Sequence, residues 1–380
     1  MPALLTIVAA LGTLCSIGYY VVCLWGAQSF QKKRAPPAKN SALPVSILKP
    51  ICGTDPQAYE NLRSHCVQDY PEFEIIFGVS EATDPAVPLI ERLIREFPDR
   101  AIHLVVCAKV LGMNLKVSNL IQMLPLAKHD HLLINDSDIR VSPDYLWRVV
   151  RQFSDRCVGM VTCLYRGIAA GTLGSRLEAL GISSEFIPGV LAAQQVEGGI
   201  HFALGSTLAF PRRALEAIGG LESLVNYLAD DFELGQRIAQ AGFDVVLADC
   251  VVEHYLPPYS FSGFLEHQLR WGRSTRNSRP WGYVGLVLTF GLPWALLEVV
   301  AARGSMWGWG LFSLALLFRL AAALRFGLSV LGDRQVLRDL WLIPMRDLLA
   351  VAIWVGGFTG RRVTWRGQEF VLKDRKLGHV

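Results

Sequence analysis

Residues 3–25 are almost continuously apolar, and this stretch fixes the setting in which the rest of the chain folds. A helix of about 20 such residues crosses a bilayer. No basic segment precedes it and no small-residue cleavage site follows it, so it reads as a retained anchor, not a signal peptide. Gln31-Lys32-Lys33-Arg34 comes directly after. Positive flanks belong on the cytoplasmic side, which puts the N-terminus outside and residue 31 onward inside. Residues 35–44, rich in Pro and Ala, read as a linker.

The far end repeats the theme. Residues 284–302 and 306–331 are each long enough to span, and a third apolar stretch, 340–358, is interrupted by Pro344, Arg346 and Asp347. Beyond Gly360 the tail carries Arg361, Arg362, Arg366, Lys373, Arg375 and Lys376. A basic tail in the cytoplasm requires an even number of crossings after the middle of the chain. Two full spans plus a re-entrant or interfacial third segment satisfy that. Each charge inside an apolar span costs about 2.5–3.5 kcal/mol on insertion scales, so Arg319, Arg325, Arg346 and Asp347 should face protein, water or headgroups. An ion pair around Asp347 is the natural arrangement, with snorkelling arginines as the alternative.

Between these ends the pattern is strand and helix in alternation. Short β-rich runs fall at 45–51, 73–79, 101–107, 131–135, 158–164, 202–210 and 243–248. Helical spacing falls near 56–67, 86–97, 114–126, 173–186, 211–218 and 230–241. Such alternation predicts an α/β domain with a mostly parallel sheet covered by helices on both faces. The run Leu132-Leu133-Ile134 stops abruptly at Asp136 and Asp138. Acids at the carboxyl end of a parallel strand sit where open α/β sheets bind ligands. Two carboxylates at this spacing suit a hard cation, Mg²⁺ or Mn²⁺, that bridges nucleotide phosphates. Ser142 and Pro143 offer the N-cap and first position of the next helix.

The net charge of +4 is mild for 380 residues, and no Lys/Arg block interleaved with aromatics points to nucleic acid. The excess suits phosphates and an anionic lipid surface. Eight scattered cysteines without a C-x-x-C pair indicate neither zinc nor a disulfide framework, and fit a reducing, cytosol-facing compartment.

Val45-Ser46-Ile47-Leu48-Lys49-Pro50, Asp84-Pro85-Ala86, Gly112-Met113-Asn114-Leu115-Lys116, Asp136-Ser137-Asp138, Ala229-Asp230-Asp231-Phe232, Arg270-Trp271 and Trp365-Arg366-Gly367 form an ordered series. The series resembles the ceramide glucosyltransferases of glycosyltransferase family 21, most of all their bacterial, hopanoid-biosynthesis-associated branch. The resemblance implies a GT-A (Rossmann-like) fold over 41–255, behind an anchor at 1–30. An interfacial amphipathic helix at 256–280, a membrane region at 281–359 and a basic cytosolic tail at 360–380 would follow. It also implies a UDP-sugar donor, a divalent cation, a membrane lipid acceptor and inversion at the anomeric carbon. The setting would be the bacterial inner (cytoplasmic) membrane, with the catalytic domain facing the cytoplasm. In the hopanoid branch the donor would be UDP-N-acetylglucosamine and the acceptor a hopanoid polyol, with Trp281, Tyr283, Phe290 and Trp294 offering apolar faces to its rings. Ceramide with UDP-glucose is the alternative.

Residue by residue, the resemblance places Asp231 as the general base, while Asp230, at the start of the helix, reads as an acid that caps it and compensates its dipole. It sets Asp84, Lys116 and Asp136 at the nucleotide-sugar, and Asp138 with Asp136 at the metal. Arg270 and Trp271 would close the site over donor and acceptor. Two positions depart from the eukaryotic pattern. Asp138 stands where those enzymes have Gly, completing the acidic pair, and His267 stands where they have Gln or Arg. His201 in the glycine-rich segment 198–220 reads equally as an acceptor contact or a satisfied polar residue. Residues 260–276, with Phe261, Phe264, Leu265, Leu269 and Trp271 at helical spacing among His and Arg, read as a helix lying in the membrane surface. A processive polysaccharide synthase shares these signals but needs a larger membrane channel, and a transporter or scaffold does not call for the ordered acids.

Overall fold

The computed structural model describes residues 2–32, 34, 42–365 and 368–379. Most of the linker, together with Arg366 and Gly367, therefore lies outside the described residues. An eight-stranded sheet forms the centre: β1 (Val45–Ile51), β2 (Phe73–Val79), β3 (Ala101–Val106), β4 (His131–Ile134), β5 (Ile139–Arg140), β6 (Val158–Ile168), β7 (Leu208–Pro211) and β8 (Asp244–Tyr255). Its order is β3-β2-β1-β4-β7-β6-β8-β5. β1 and β2 are buried along their whole length, as expected of strands covered on both faces. β7 and β5 run antiparallel to their neighbours, so the sheet is mixed.

Three local expectations are corrected. The strand anticipated at 202–210 begins only at Leu208, because the chain turns at Gly205 and the Thr207 amide closes on the Leu204 carbonyl at 3.1 Å. The helix anticipated at Ser142 begins at Tyr145; the Ser142 hydroxyl donates to the Asp144 carboxylate at 2.6 Å instead of capping. The helix anticipated at 173–186 continues to Val196 through a π turn at Ile182–Phe186. Pro188 explains that turn. It has no N–H to give the Ser184 carbonyl four residues back, and the helix widens around the lost bond.

The terminal helices are packed onto this domain. Pro2–Lys32 forms one helix; its Gly12 admits the ring of Trp294, and its Gly26 lies against the Leu191 backbone. Three helices are long and apolar enough to cross a membrane: Ala3–Lys32, Met306–Leu331 and Gln335–Phe358. A fourth segment, Pro280–Thr289 followed by Gly291–Ala301, is bent by 54°. Exposed apolar side chains such as Leu4, Ile7, Leu11, Trp307 and Leu317 crowd these helices, the surface a bilayer covers.

Ile343–Phe358 runs beside the amphipathic helix Phe261–Ser278: Arg346 lies over the Phe264 ring, Leu269 meets Gly356, and Arg273 donates to the Arg362 carbonyl at 2.7 Å. The tail then folds into a second sheet, β9 (Arg362–Trp365), β10 (Gln368–Lys373) and β11 (Lys376–His379). Val363, Phe370, Leu372 and Leu377 bury against Leu228 and Met113 of the central domain. The Leu377 amide donates to the Asn226 carbonyl at 2.7 Å. The basic tail is thus a folded part of the domain it follows.

Candidate active site

The carboxyl ends of β1 and β4 open into a cavity of about 1260 Å³ that extends down to the membrane helices. Its head is built by long-range register. The Asn135 amide donates to the Ser206 carbonyl at 2.7 Å and the Tyr145 hydroxyl at 2.9 Å, fixing the turn that follows β4. Pairing of Ile134 with Leu208 across β4 and β7 brings Gly205 beside Asp136. Pairing of Ile139 with His254 across β5 and β8 brings His254 beside Asp138. Beneath the turn, the buried Lys49 ammonium donates to the Asp136 carbonyl at 3.0 Å. Burial pushes that ammonium down to about 7, against the pull of Asp136 and Asp138.

Lys116, in the first turn of Leu115–Met123, bridges Asp136 at 2.7 Å and Asp230 at 3.3 Å. Burial alone would depress its ammonium; Asp136, Asp230 and Asp231 override that and raise it. Asp230 also accepts from Asn114 at 3.2 Å. It makes no side-chain cap for the helix Asp230–Gln240, but it stands in that helix's first turn, where an acid compensates the dipole. Asp231 lines the cavity and is raised to about 6, first by burial and then by the neighbouring Asp230 charge. The Asp138 carboxylate meets His254 Nε2 at 3.0 Å. Burial would lower the His254 imidazole, but Asp138 raises it to about 9.

The metal chemistry expected of the acidic pair is compatible with these donors. Asp138 Oδ1 is buried without a hydrogen-bond partner among the described residues, and Asp136 faces the same cavity. Among the described residues no three His, Cys, Asp or Glu side chains are preassembled as a cage. One or two carboxylates completed by substrate phosphates and water is the way Mg²⁺ is usually held.

The chain matches glycosyl transferase family 21 over residues 8–377. It belongs to that family. Among curated relatives, ceramide glucosyltransferase 3 of Caenorhabditis elegans is 25% identical over 247 residues, covering 61% of this chain and 51% of that protein. The ceramide glucosyltransferase of Komagataella phaffii is 35% identical over 155 residues, 36% of this chain and 29% of that one. The chain spans about half the length, or less, of the curated relatives it matches. A solved mannosyltransferase from Pyrobaculum calidifontis, in complex with GDP-Man and Mn²⁺, superposes over 93% of this chain and 97% of its own, with a TM-score of 0.58 at 19% identity. The fold is therefore GT-A, a mixed and mostly parallel sheet.

Within this family 21 chain the remaining expected residues divide. Arg270 and Trp271 line the cavity. His267 does too, stacked on Tyr259, tilted against Trp271 and 3.4 Å from Glu178, so it ties the amphipathic helix to Leu173–Gly181. His201 is exposed and absent from the cavity wall, where its neighbour Phe202 stands. Asp84 is also off the wall. Its carboxylate accepts from the Gly53 amide at 2.9 Å and the Ala86 amide at 2.8 Å, holding the loops after β1 and β2 together. Of the four aromatics expected at a polycyclic lipid, Tyr283 and Phe290 face the cavity; Trp281 is 85% exposed and Trp294 is packed on Gly12.

Sequence reasoning missed Asp55, which accepts from Ser137, as well as Lys49 and His254. It also missed an aromatic wall of Tyr165, Phe186 and Trp271, with adjacent ring centroids 5.7 Å apart. Trp365, Gln368 and Phe370 of the tail sheet complete the cavity lining. His254 had a usable signal: like Asp138, it is polar at the carboxyl end of an apolar strand.

Proposed function

We propose that this chain is a membrane-bound inverting glycosyltransferase that moves one sugar from a UDP-sugar to a hydroxyl of a membrane lipid. The observation that carries the reading is the shared cavity. Lys116, Asp136, Asp138 and Asp231 stand at its head, and Tyr20, Phe290 and Trp354 of the membrane helices line its other part. A water-soluble donor and a lipid hydroxyl meet where the two halves join.

Asp136 and Asp138 would hold a divalent cation, which when bound neutralises charge on the departing diphosphate. Lys116 adds a fixed positive charge beside Asp136. Asp231 accepts the acceptor's proton as the new bond forms, and its raised pKa makes it a better base than a solvated carboxylate. Tyr165, Phe186 and Trp271 exclude water around the transfer.

The folded tail supports one topology. Because β9–β11 pack on the catalytic domain, both lie on one side of the bilayer. The hairpin 291–331 then enters the bilayer and returns. Gln335–Phe358, lying along the amphipathic helix, stays at the interface, and the N-terminus lies on the opposite face. We place the catalytic side in the bacterial cytoplasm.

For the acceptor we favour a hopanoid polyol with UDP-N-acetylglucosamine, on the sequence of residues 267–282. The second reading, ceramide with UDP-glucose, is favoured by the names of the curated relatives. Transfer of radiolabel from each UDP-sugar to each lipid, with mass spectrometry of the product, tests both. A single-sugar lipid supports the proposal; a long polymer, or no lipid product, overturns it.

A further inference from the structure

Away from the reacting acids, the cavity wall holds a second polar cluster formed by helices distant in the chain. The π turn Ile182–Phe186 supplies Ser184 and Glu185, Met306–Leu324 supplies Arg319, and Ile343–Phe358 supplies Arg346 and Asp347. All five line the cavity. Arg319 is fully engaged: it meets Asp347 at 2.7 and 2.9 Å and donates to the Ser184 carbonyl at 2.9 Å. Arg346 is not. Its Nη2 reaches Gln268 Oε1 at 2.9 Å and Glu185 Oε2 at 3.1 Å. Its Nε and Nη1 are buried without a hydrogen-bond partner among the described residues, on a side chain only 6% exposed. Glu185 Oε1 is likewise buried without a hydrogen-bond partner there, 3.7 Å from Arg319 Nη2.

Buried guanidinium donors and carboxylate acceptors are rarely left unmatched, since each costs the full desolvation of the group. Here the unmatched donors and the unmatched acceptor belong to one ion pair on the wall of one cavity. Arg319 and Arg346 face Glu185 and Asp347, and the neighbouring acid Glu178 is taken up by His267 at 3.4 Å and Gln268 at 2.8 Å, so no carboxylate is left over to reward a cationic ligand. A π turn at this spot fits a ligand site, where such turns recur.

We infer that Arg346 and Glu185 form an acceptor subsite for a second, uncharged polar group of the lipid, a hydroxyl or a secondary amide. Such a group accepts from Arg346 Nε or Nη1 and donates to Glu185 Oε1. It lies at the headgroup end of the lipid, because Glu185 is followed by Phe186. That ring touches Tyr165 at 5.7 Å, and Tyr165 touches the imidazole of His254 at 5.7 Å, beside Asp138. The inference rests on the lipid-acceptor reading above and adds what selects the lipid.

Competition in nanodiscs of host membrane lipid tests it, with the full-length protein transferring label from a UDP-sugar to the resident lipid. The competitors are hexadecan-1-ol, hexadecane-1,2-diol, N-(2-hydroxyethyl)hexadecanamide and the cationic 2-(hexadecylamino)ethanol. The diol or the amide should compete at roughly tenfold lower concentration than the plain alcohol, and the amine should gain no such advantage. Whichever of the two wins identifies the group. In Arg346→Met and in the nearly isosteric Glu185→Gln, the advantage should fall below about threefold. Equal potency of all four in the wild-type protein, or an advantage kept in a folded variant, overturns the subsite. If the resident lipid takes no label at all, the lipid-acceptor reading fails, and the subsite with it.

Discussion

Arg319 donates to the carbonyl of Ser184 at 2.9 Å, the carbonyl that Pro188 leaves without its helical partner. A helix defect in the catalytic domain is thereby satisfied by a side chain from a membrane helix. The same guanidinium holds Asp347, so three segments meet on one buried cation. Arg319→Met should lower stability by about 3–5 kcal/mol, because it strands a buried carboxylate. Arg319→Met/Asp347→Leu should cost less than the sum of the single changes. Thermal unfolding in detergent reads both.

Removing the base should separate binding from chemistry. Asp231→Asn should keep donor affinity while transfer falls roughly 10²–10⁴-fold. Asp230→Asn should weaken donor binding instead, because Lys116 loses one of its two partners. Titration of labelled UDP-sugar beside single-turnover transfer distinguishes the two. Equal loss of binding and transfer in both variants would make Asp231 structural.

The pH profile follows from the same carboxylate. A base works when ionised, and Asp231 is raised to about 6 by burial and Asp230. Turnover should therefore be lost as pH falls through about 6, roughly tenfold per unit below it. In Asp230→Asn the acid limb should move to lower pH, since a neighbouring negative charge is gone. An acid limb that stays in place would show that another group controls it.

Gly205 separates Asp136 from Asp231. A Cβ there would stand 3.0 Å from Asp231 Oδ2 and 3.2 Å from Asp136 Oδ2. Gly205→Ala should lower kcat by roughly tenfold through displacement of one or both carboxylates. Unfolding temperature should change little. An unchanged kcat would mean that the acids relax freely.

Asp136→Asn and Asp138→Asn should each raise the cation concentration needed for half-maximal turnover and depress the maximum. The motive is the unpartnered Asp138 Oδ1 beside Asp136 in the cavity. Activity of both variants that matches wild type across a Mg²⁺ and Mn²⁺ titration would remove the cation from these residues.

The sequence alone determined what is local. Apolar length marked the helices able to cross a membrane, and short β-rich runs marked β1 and β2 to the residue. The position of Asp136 and Asp138 directly after β4 was legible from the apolar run that ends there. Tertiary structure decided which distant groups share the site. His254 joins Asp138 across 116 positions through the register of β5 on β8. Gly205 reaches Asp136 only because β7 enters antiparallel beside β4. The Arg346–Glu185 pair needs a π turn to meet the helix 343–358, and the tail sheet reaches the cavity because Leu228 and Met113 offer it an apolar seat. Periodicity reports which face of an element is buried; it carries no record of what that face is buried against. The partners of a side chain are set by packing and strand register, and these exist only once the whole chain has folded.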